Sequence, residues 1–365
     1  MINICFLLGG FQENGGIGRV TSILANELNK IKNYNVCTIS YYHFDKPMLY
    51  KVDKNVKQAY LFETQTSMTT AIIRKHAIKR VASFLLENKI DILIACGALY
   101  YPLAILACKE SNAKCVCWEH TNPQITADYR FQNLCRKYAV KKSDKLVVLT
   151  KEAEKYYLNK FKIKPNKLVQ IYNLLNDDVE KSKIYNEKSH KILSVGRLSY
   201  PKNFEKLIDI ANVVLKKYPD WSWEIFGSGE MYETLLNKIN NLELSNQVFL
   251  KGQVDDLYQR YKDYSFVVMT SRYEGFPMSL IEAAANRLPL ISFDIKTGPN
   301  EIINNGVNGF LIDYDDIKTM ENKIELLINN LELRRNMSNE AYKNVQKFKK
   351  EEIIIKWDKI FCELV

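Results

Sequence analysis

Short apolar runs alternate along the chain with longer stretches in which apolar residues return at every third or fourth position. In the first half the runs cover 2–8, 36–41, 90–95, 114–118, 146–149 and 168–172. Their length and the helical periodicity between them predict strands followed by amphipathic helices, an alternation that builds a parallel sheet wrapped by helices. Between 174 and 189 the pattern lapses into Asn, Asp, Lys and Ser, the composition of a linker. A second series then runs through 191–195, 221–226, 247–250, 266–269, 289–293 and 309–312. The expectation is an α/β protein of two doubly wound, Rossmann-like domains, 1–173 and 190–349. Open α/β sheets bind ligands at the carboxyl ends of their strands, so the two domains are expected to face each other across a cleft that holds the active site.

Composition narrows the class. A chain of 365 residues with 47% apolar content is long enough for two cores and too apolar for disorder. The longest uncharged run, 92–108, is interrupted by Gly97 and Pro102 and carries Tyr100 and Tyr101, so it reads as strand, turn and helix rather than a membrane span. Residues 1–8 lack the basic flank and cleavage site of a signal peptide, which sets a cytoplasmic expectation. The eight cysteines fall mostly in apolar segments without C-x2-C spacing, as buried thiols of a reducing compartment do. Cys115 and Cys117 alternate on one strand face as core residues. A net charge of +10 admits nucleic acid, a membrane surface or an anionic substrate as partner. Arg74, Lys75, Lys79 and Arg80 lie on a predicted helix, 72–86, whose apolar residues are Ile73, Ala77, Val81 and Leu85. A second basic cluster runs through Arg136, Lys137, Lys141, Lys142 and Lys145. Two readings stay open for these cations, a solvated face or attachment to anionic lipid. No nucleic-acid-binding module accompanies them.

The candidate chemistry sits just after strands. Gly9 to Arg19 is a loop with Gly15 and Gly16 that feeds a helix N-terminus, a geometry suited to phosphate. Thr21 stands where a dinucleotide fingerprint needs its third Gly, and strand 2 ends without an acidic residue before His43 and Asp45, so a nicotinamide cofactor is discounted. In the second domain, Gly196 ends a strand and Arg197 and Lys202 project from the loop before the helix that starts near Asn203. Two cations there suit a diphosphate, one as a planar fork and one as a point charge, although any isolated surface pair can be merely solvated. Glu274-Gly275-Phe276-Pro277-Met278-Ser279-Leu280-Ile281-Glu282 brackets a further helix N-terminus with two carboxylates. Amides near Met278, Ser279 and Leu280 can meet phosphate while the carboxylates accept hydroxyl groups, an arrangement suited to a sugar nucleotide. Asp313-Tyr314-Asp315-Asp316 superficially contains a D-x-D metal motif but begins a helix, where Asp serves as a cap, so no metal is expected.

The E-x7-E element, Gly196-Arg197 with Lys202, the Gly15-Gly16 loop, Gly227-Ser228-Gly229-Glu230, Gly298-Pro299-Asn300-Glu301-Ile302-Ile303 and Gly306-Val307-Asn308-Gly309-Phe310 together resemble glycosyltransferase family 4. The likeness covers nearly the whole chain and is typical of members that build bacterial capsules, lipopolysaccharides and glycolipids. It implies the GT-B fold and a retaining sugar transfer from a nucleoside diphosphate sugar, UDP-linked by family habit, with no metal. By the same resemblance, Arg197 and Lys202 contact the diphosphate, Glu282 the ribose and Glu274 the donor sugar. Gly252, Gln253 and Val254 match the loop that meets the base. His120, in Trp118-Glu119-His120, matches a histidine that contacts the sugar, although a lone His after a strand is often a structural hydrogen-bonding residue. Arg287 departs from the Gly that many relatives carry before Pro289. The resemblance places the acceptor, a glycan or a polyisoprenyl-diphosphate-linked glycan at the inner membrane face, on the first domain with Arg74, Lys75, Lys79 and Arg80. A final helix within 350–365 is expected to cross back onto that domain. The alternatives are a sugar-nucleotide epimerase of the same fold and a non-catalytic, sugar-nucleotide-binding partner subunit.

Overall fold

A strand with no polar alternation needs cover on both faces, and the computed structural model provides it. The structure describes every residue except 13–15, 44–47, 64–70, 176–184 and 255–256, and omits the side chains of 71–74 and 128. The chain divides into two units, Met1–Leu174 with Lys350–Val365, and Leu175–Lys349. Of the expected linker 174–189, residues 176–184 lie outside the described part.

In order, the first unit holds β1 (Ile2–Leu8), α1 (Gly16–Asn29), β2 (Tyr34–Tyr42), β3 (Lys57–Phe62), α2 (Ala71–Glu87), β4 (Ile92–Cys96), α3 (Tyr101–Ser111), β5 (Lys114–Glu119), α4 (Arg130–Lys142), β6 (Lys145–Val148), α5 (Lys151–Lys160) and β7 (Leu168–Gln170). The strands are parallel and ordered β3-β2-β1-β4-β5-β6-β7. β3 is an addition to the sequence expectation. It is an edge strand with mixed exposure, so it lacks the continuous apolar run of its neighbours. Cys115 and Cys117 join the core shared with α2 to α5, beside Val81, Ala107, Ala139 and Tyr157. Consecutive strand residues point to opposite faces, so Trp118 lies on the other side of the sheet. There it meets the C-terminal helix Lys350–Leu364 through Trp357, edge to face at 5.1 Å. Tyr34 of β2 adds a hydrogen bond to Asp358 of the same helix.

The second unit holds β8 (Lys191–Val195), α6 (Phe204–Leu215), β9 (Ser222–Phe226), α7 (Tyr232–Asn241), β10 (Val248–Gly252), α8 (Leu257–Arg260), β11 (Phe266–Met269), α9 (Met278–Ala285), β12 (Leu290–Asp294), α10 (Pro299–Ile302), β13 (Gly309–Asp313), α11 (Ile317–Asn329) and α12 (Leu331–Asn344). Its parallel order is β10-β9-β8-β11-β12-β13. In each sheet the order reverses beside the first strand, between β1 and β4 and between β8 and β11. That is where a doubly wound sheet opens a crevice at its carboxyl edge. Asp316 caps α11 by accepting the Thr319 N–H at 3.0 Å. Arg287 stands in the left-handed region at φ 64°, which explains why Gly suits the position. Here the guanidinium lies over the Tyr342 ring at 4.2 Å and donates to Asn339 at 3.2 Å, tying the end of α9 to α12.

One charge from the expected basic cluster is not at the surface. Arg136, on α4, is fully buried and donates through Nε to Glu119 Oε2 at 2.7 Å. Helical periodicity turns Arg136 inward while Lys137, Lys141 and Lys142 face solvent. Lys145 is also engaged, with Glu363 at 2.7 Å and the Asn166 carbonyl at 2.8 Å. Glu119 is saturated: Tyr157 donates at 2.7 Å and the Thr121 hydroxyl at 2.7 Å. Burial alone pushes the Glu119 carboxyl up, but the Arg136 charge and these hydrogen bonds outweigh it and hold it below its ordinary value. Removing one partner of a buried pair leaves the other charge uncompensated, a loss of about 3–5 kcal/mol. Glu119→Gln is therefore predicted to lower the urea-unfolding free energy of the chain by that order, with unchanged stability as the contrary result.

Candidate active site

On the second unit, three loops at the carboxyl edge of the sheet, after β8, β9 and β10, are locked together through backbone. Gly196 N–H donates to the Phe226 carbonyl at 3.0 Å, and Gly227 N–H to the Gly252 carbonyl at 2.9 Å. A side chain at 227 has no room: its Cβ would lie 1.9 Å from the Gly196 carbonyl oxygen, and φ there is +138°. Gly229 packs in the same way on Leu198, where a Cβ would meet the carbonyl oxygen at 2.3 Å. Leu198 N–H donates to the Ser228 carbonyl at 3.0 Å, and the Leu198 carbonyl accepts Met231 N–H at 3.0 Å. The Gly227 to Glu230 turn thus braces the Arg197 loop. Gln253, after β10, accepts from the Ser228 hydroxyl at 3.2 Å, and Val254 follows it.

That brace aims the cations. Gly196 leaves space for the Lys202 stem, whose Cδ and Cε would sit 3.1 Å from a Cβ at that position. Lys202 ends a short 3-10 turn, and Asn203, left-handed at φ 57°, turns the chain into α6. The ammonium of Lys202 then pairs with Glu274 Oε1 at 2.5 Å. Arg197 is exposed and has no ion-pair partner among the described residues. Lys202 and Glu274, distant in sequence, are therefore brought together, and Arg197 stands on the same loop as Lys202.

Three side chains that the sequence pattern did not single out hold the two glutamates, two at a carboxylate and one at the backbone. Ser271 donates to Glu274 Oε1 at 2.7 Å, and the Thr297 hydroxyl to the Glu274 carbonyl at 2.7 Å. Tyr261 donates to Glu282 Oε2 at 3.1 Å, and Glu282 is buried. Single hydroxyls give no periodic signal, but Ser271 stands three residues before Glu274 in the loop after β11, where a local partner could be sought. Gly298, at φ +103°, lies so close to Pro277 that a Cβ would approach its Cδ to 2.4 Å. The Gly298-Pro299 segment is therefore the support behind Gly275, Phe276 and Pro277. Phe276 is buried and meets Phe348 edge to face at 5.6 Å. α9 begins at Met278 with no side chain capping it among the described residues, so the start of the helix offers backbone N–H groups from Met278 and Ser279, and Leu280 points into the core.

On the first unit, His120 follows β5 and its ring lies 4.2 Å from that of Trp118. It is nearly buried, and its Nε2 has no hydrogen-bond partner among the described residues. Burial pushes the imidazole down to about 3, against the opposing pull of the Glu119 charge, so the ring is neutral at physiological pH. Gly16 opens α1, while Gly15 lies outside the described residues. Lys75, Lys79 and Arg80 are exposed on α2, with Ala77, Val81 and Leu85 buried beneath. The Arg74 side chain lies outside the description.

Two sheets of this strand order, the second carrying cations and a carboxylate at an uncapped helix start, are the architecture of GT-B glycosyltransferases. A point mutant of S. aureus TarM, solved with fondaparinux, alpha-GlcNAc-glycerol and UDP, superposes with a TM-score of 0.84 over 99% of this chain and 100% of that one. At 18% identity that likeness is one of fold. Residues 14–179 match the family model described as Glycosyltransferase Family 4, and 176–344 match Glycosyl transferases group 1. Three relatives align along nearly their full lengths. An uncharacterized glycosyltransferase of Haemophilus influenzae is 31% identical over 98% of this chain and 99% of its own. The amylovoran biosynthesis glycosyltransferase AmsD of Erwinia amylovora is 30% identical over 99% of each. A Campylobacter jejuni alpha-1,4-N-acetyl-D-galactosaminyltransferase, named for a diNAcBac-PP-undecaprenol-linked substrate, is 25% identical over 100% of this chain and 99% of its own. The chain belongs to glycosyltransferase family 4 and is a hexosyltransferase, which sets the epimerase alternative aside.

The neutral His120 has a measurable consequence. An unfolded histidine titrates near 6.5 and the folded ring near 3, so the unfolded chain binds more protons between those values. This contribution to stability is complete above the unfolded value and is lost as pH falls toward the folded one. His120→Phe is predicted to flatten the acid side of the stability profile below pH 6.5, read by urea unfolding at stepped pH. An unchanged slope would show that the ring already titrates normally.

Proposed function

We propose that the protein transfers a sugar, with retention of anomeric configuration, from a UDP-sugar to a glycan or polyisoprenyl-diphosphate-linked glycan in cell-surface polysaccharide synthesis. The observation that carries this reading is the pairing of Lys202 with Glu274 at 2.5 Å beside the uncapped start of α9. Support for the nucleotide comes from the UDP in the TarM complex, and for the acceptor class from the names of the Erwinia and Campylobacter relatives.

In the proposed reaction the bond between the anomeric carbon and the diphosphate breaks through an oxocarbenium-like transition state. Negative charge then develops on the departing diphosphate, and Arg197, Lys202 and the N–H groups of Met278 and Ser279 stabilise it. The acceptor hydroxyl attacks the face that the diphosphate leaves, and its proton passes to the leaving phosphate oxygen. Glu274 orients the donor sugar, Glu282 serves the ribose, Gly252 to Val254 the base, and His120, from the first unit, the transferred sugar. No protein nucleophile is needed. Protein cations supply the positive charge, so transfer is expected to persist in chelator. The basic face of α2, with Lys75, Lys79 and Arg80, is assigned to the acceptor side and to an anionic membrane surface.

Calorimetric titration with UDP, GDP and ADP is expected to show selective binding of UDP. Arg197→Ala and Lys202→Ala should each weaken it by about ten- to a hundredfold, the range for charge-assisted hydrogen bonds. Glu274→Gln should abolish transfer while UDP binding persists. No binding of any nucleotide would leave the chain as a non-catalytic partner subunit, and a glycosyl group trapped on Glu274 would replace the proposed route by a covalent one.

A further inference from the structure

In a parallel sheet the helices return to the amino edge of the strands, so the C-terminal turns of α4 and α5 lie at the end of the first unit's sheet opposite the loops after β1 and β5. There the two helix ends and the connection into β7 enclose an open cavity of about 500 Å³. Lys137 and Lys141 line it from α4, Lys160 from the last turn of α5, and Lys162, Lys164 and Lys167 from the connection. Among the described residues none of the six pairs with a carboxylate. Lys167 donates to the Ser143 carbonyl at 2.6 Å, and the other five are exposed. The flanking acids are engaged elsewhere, Asp144 with the Cys115 N–H at 2.8 Å and Glu152 with Gln124 at 3.3 Å. From Lys155 to Gln170 the chain contains five lysines and no Asp or Glu.

Lysines at helix C-termini offset the macrodipole, which accounts for some of this charge. Two helix ends carry about half a negative charge each, so roughly one of the six cations is neutralised in that way. The remainder repel one another across the cavity unless an anion enters. Val140, Phe161 and Ile163 form its apolar wall, which leaves the ammonium groups as the recognition elements.

We propose that this cavity is a binding site for clustered phosphate groups. α4 indicates their source. Phe131 and Leu134 are 52% and 62% exposed and share the outer face of the helix with Lys137 and Lys141. Apolar side chains beside lysines on one exposed helix face suit the headgroup layer of an anionic bilayer, with the lysines on phosphate and the Phe and Leu among the acyl chains. The site uses no residue of α2 and none of the proposed transfer residues, so it stands or falls independently of the transfer reading.

The test uses the full chain and a Lys141→Gln/Lys160→Gln/Lys164→Gln variant. Cosedimentation is measured with phosphatidylcholine vesicles with and without phosphatidylglycerol, and thermal unfolding with and without tripolyphosphate at matched ionic strength. The native chain is expected to bind only the anionic vesicles, and the variant to lose about a hundredfold in that affinity, a factor of several per lysine. Tripolyphosphate should raise Tm for the native chain and not for the variant. A tripolyphosphate shift confined to the native chain, without vesicle binding, supports the phosphate site and makes its source soluble. The proposal is overturned if the variant, folded by its circular dichroism and unfolding transition, matches the native chain in both measurements, or if neither ligand binds. Loss of vesicle binding only in Lys75→Gln/Lys79→Gln/Arg80→Gln, with an equal Tm shift in native and cavity variants, overturns it in favour of α2.

Discussion

The second unit of this protein depends on a steric constraint: the Gly196 carbonyl occupies the space where any residue with a Cβ at 227 would need it. Because Gly227 and Gly229 have no side chains, the turn after β9 lies directly on the loop after β8 and exchanges backbone hydrogen bonds with it. Arg197 is thereby presented from a fixed loop, and Lys202 crosses Gly196 to reach Glu274. Gly298 supplies the corresponding close approach behind Pro277. A loop fixed by backbone contact spends little reorganisation when charge develops, the condition under which electrostatic stabilisation is effective. The glycines of the sequence motifs thus act mostly as packing devices, and in the proposed reaction the charged residues between them carry the chemistry.

The first unit solves a different problem, how to hold one imidazole rigid and neutral at the end of a strand. Glu119, the residue before His120, is saturated by Arg136, Tyr157 and Thr121, drawing α4, α5 and the following loop onto the end of β5. On the opposite face Trp118 is backed by Trp357 of the C-terminal helix and itself backs His120. The histidine is therefore positioned from both faces of the sheet. A buried neutral ring is a hydrogen-bonding group rather than a proton shuttle near neutral pH, which suits a contact to a sugar hydroxyl.

Strands buried on both faces were legible because they leave continuous apolar runs, and the motifs were legible because each follows such a run. β3 was not, since Lys57 and Tyr60 are exposed at the sheet edge and the run breaks. Arg136 and Lys137 are indistinguishable as sequence charges; only the helical phase, with Ala139 and Cys135 also buried, separates the inward cation from the outward one. Arg287 breaks a glycine pattern for a reason that needs tertiary contacts, because Tyr342 and Asn339 lie on another helix. Ser271, Thr297 and Tyr261 act through one hydroxyl each, a signal no pattern carries.

The pairing of Lys202 with Glu274 bears on the choice between mechanisms. Glu274 Oε1 accepts from both the ammonium and the Ser271 hydroxyl, so the lone pairs of that oxygen are committed and the charge of the carboxylate is partly neutralised. A carboxylate whose charge is paired in this way is a weaker nucleophile than a free one, which counts against a covalent route through Glu274. The same pairing costs little when a diphosphate arrives, because an ammonium has three donors and can keep Glu274 while it turns another N–H toward phosphate. In the proposed reaction the donor brings negative charge to a loop where Lys202 is already paired, leaving Arg197, exposed and without an ion-pair partner among the described residues, to meet the additional charge as the bond to the sugar opens. In the proposed reaction Lys202 thus keeps Glu274 in place while it meets the diphosphate, Arg197 answers the charge that develops, and Glu274 orients the sugar.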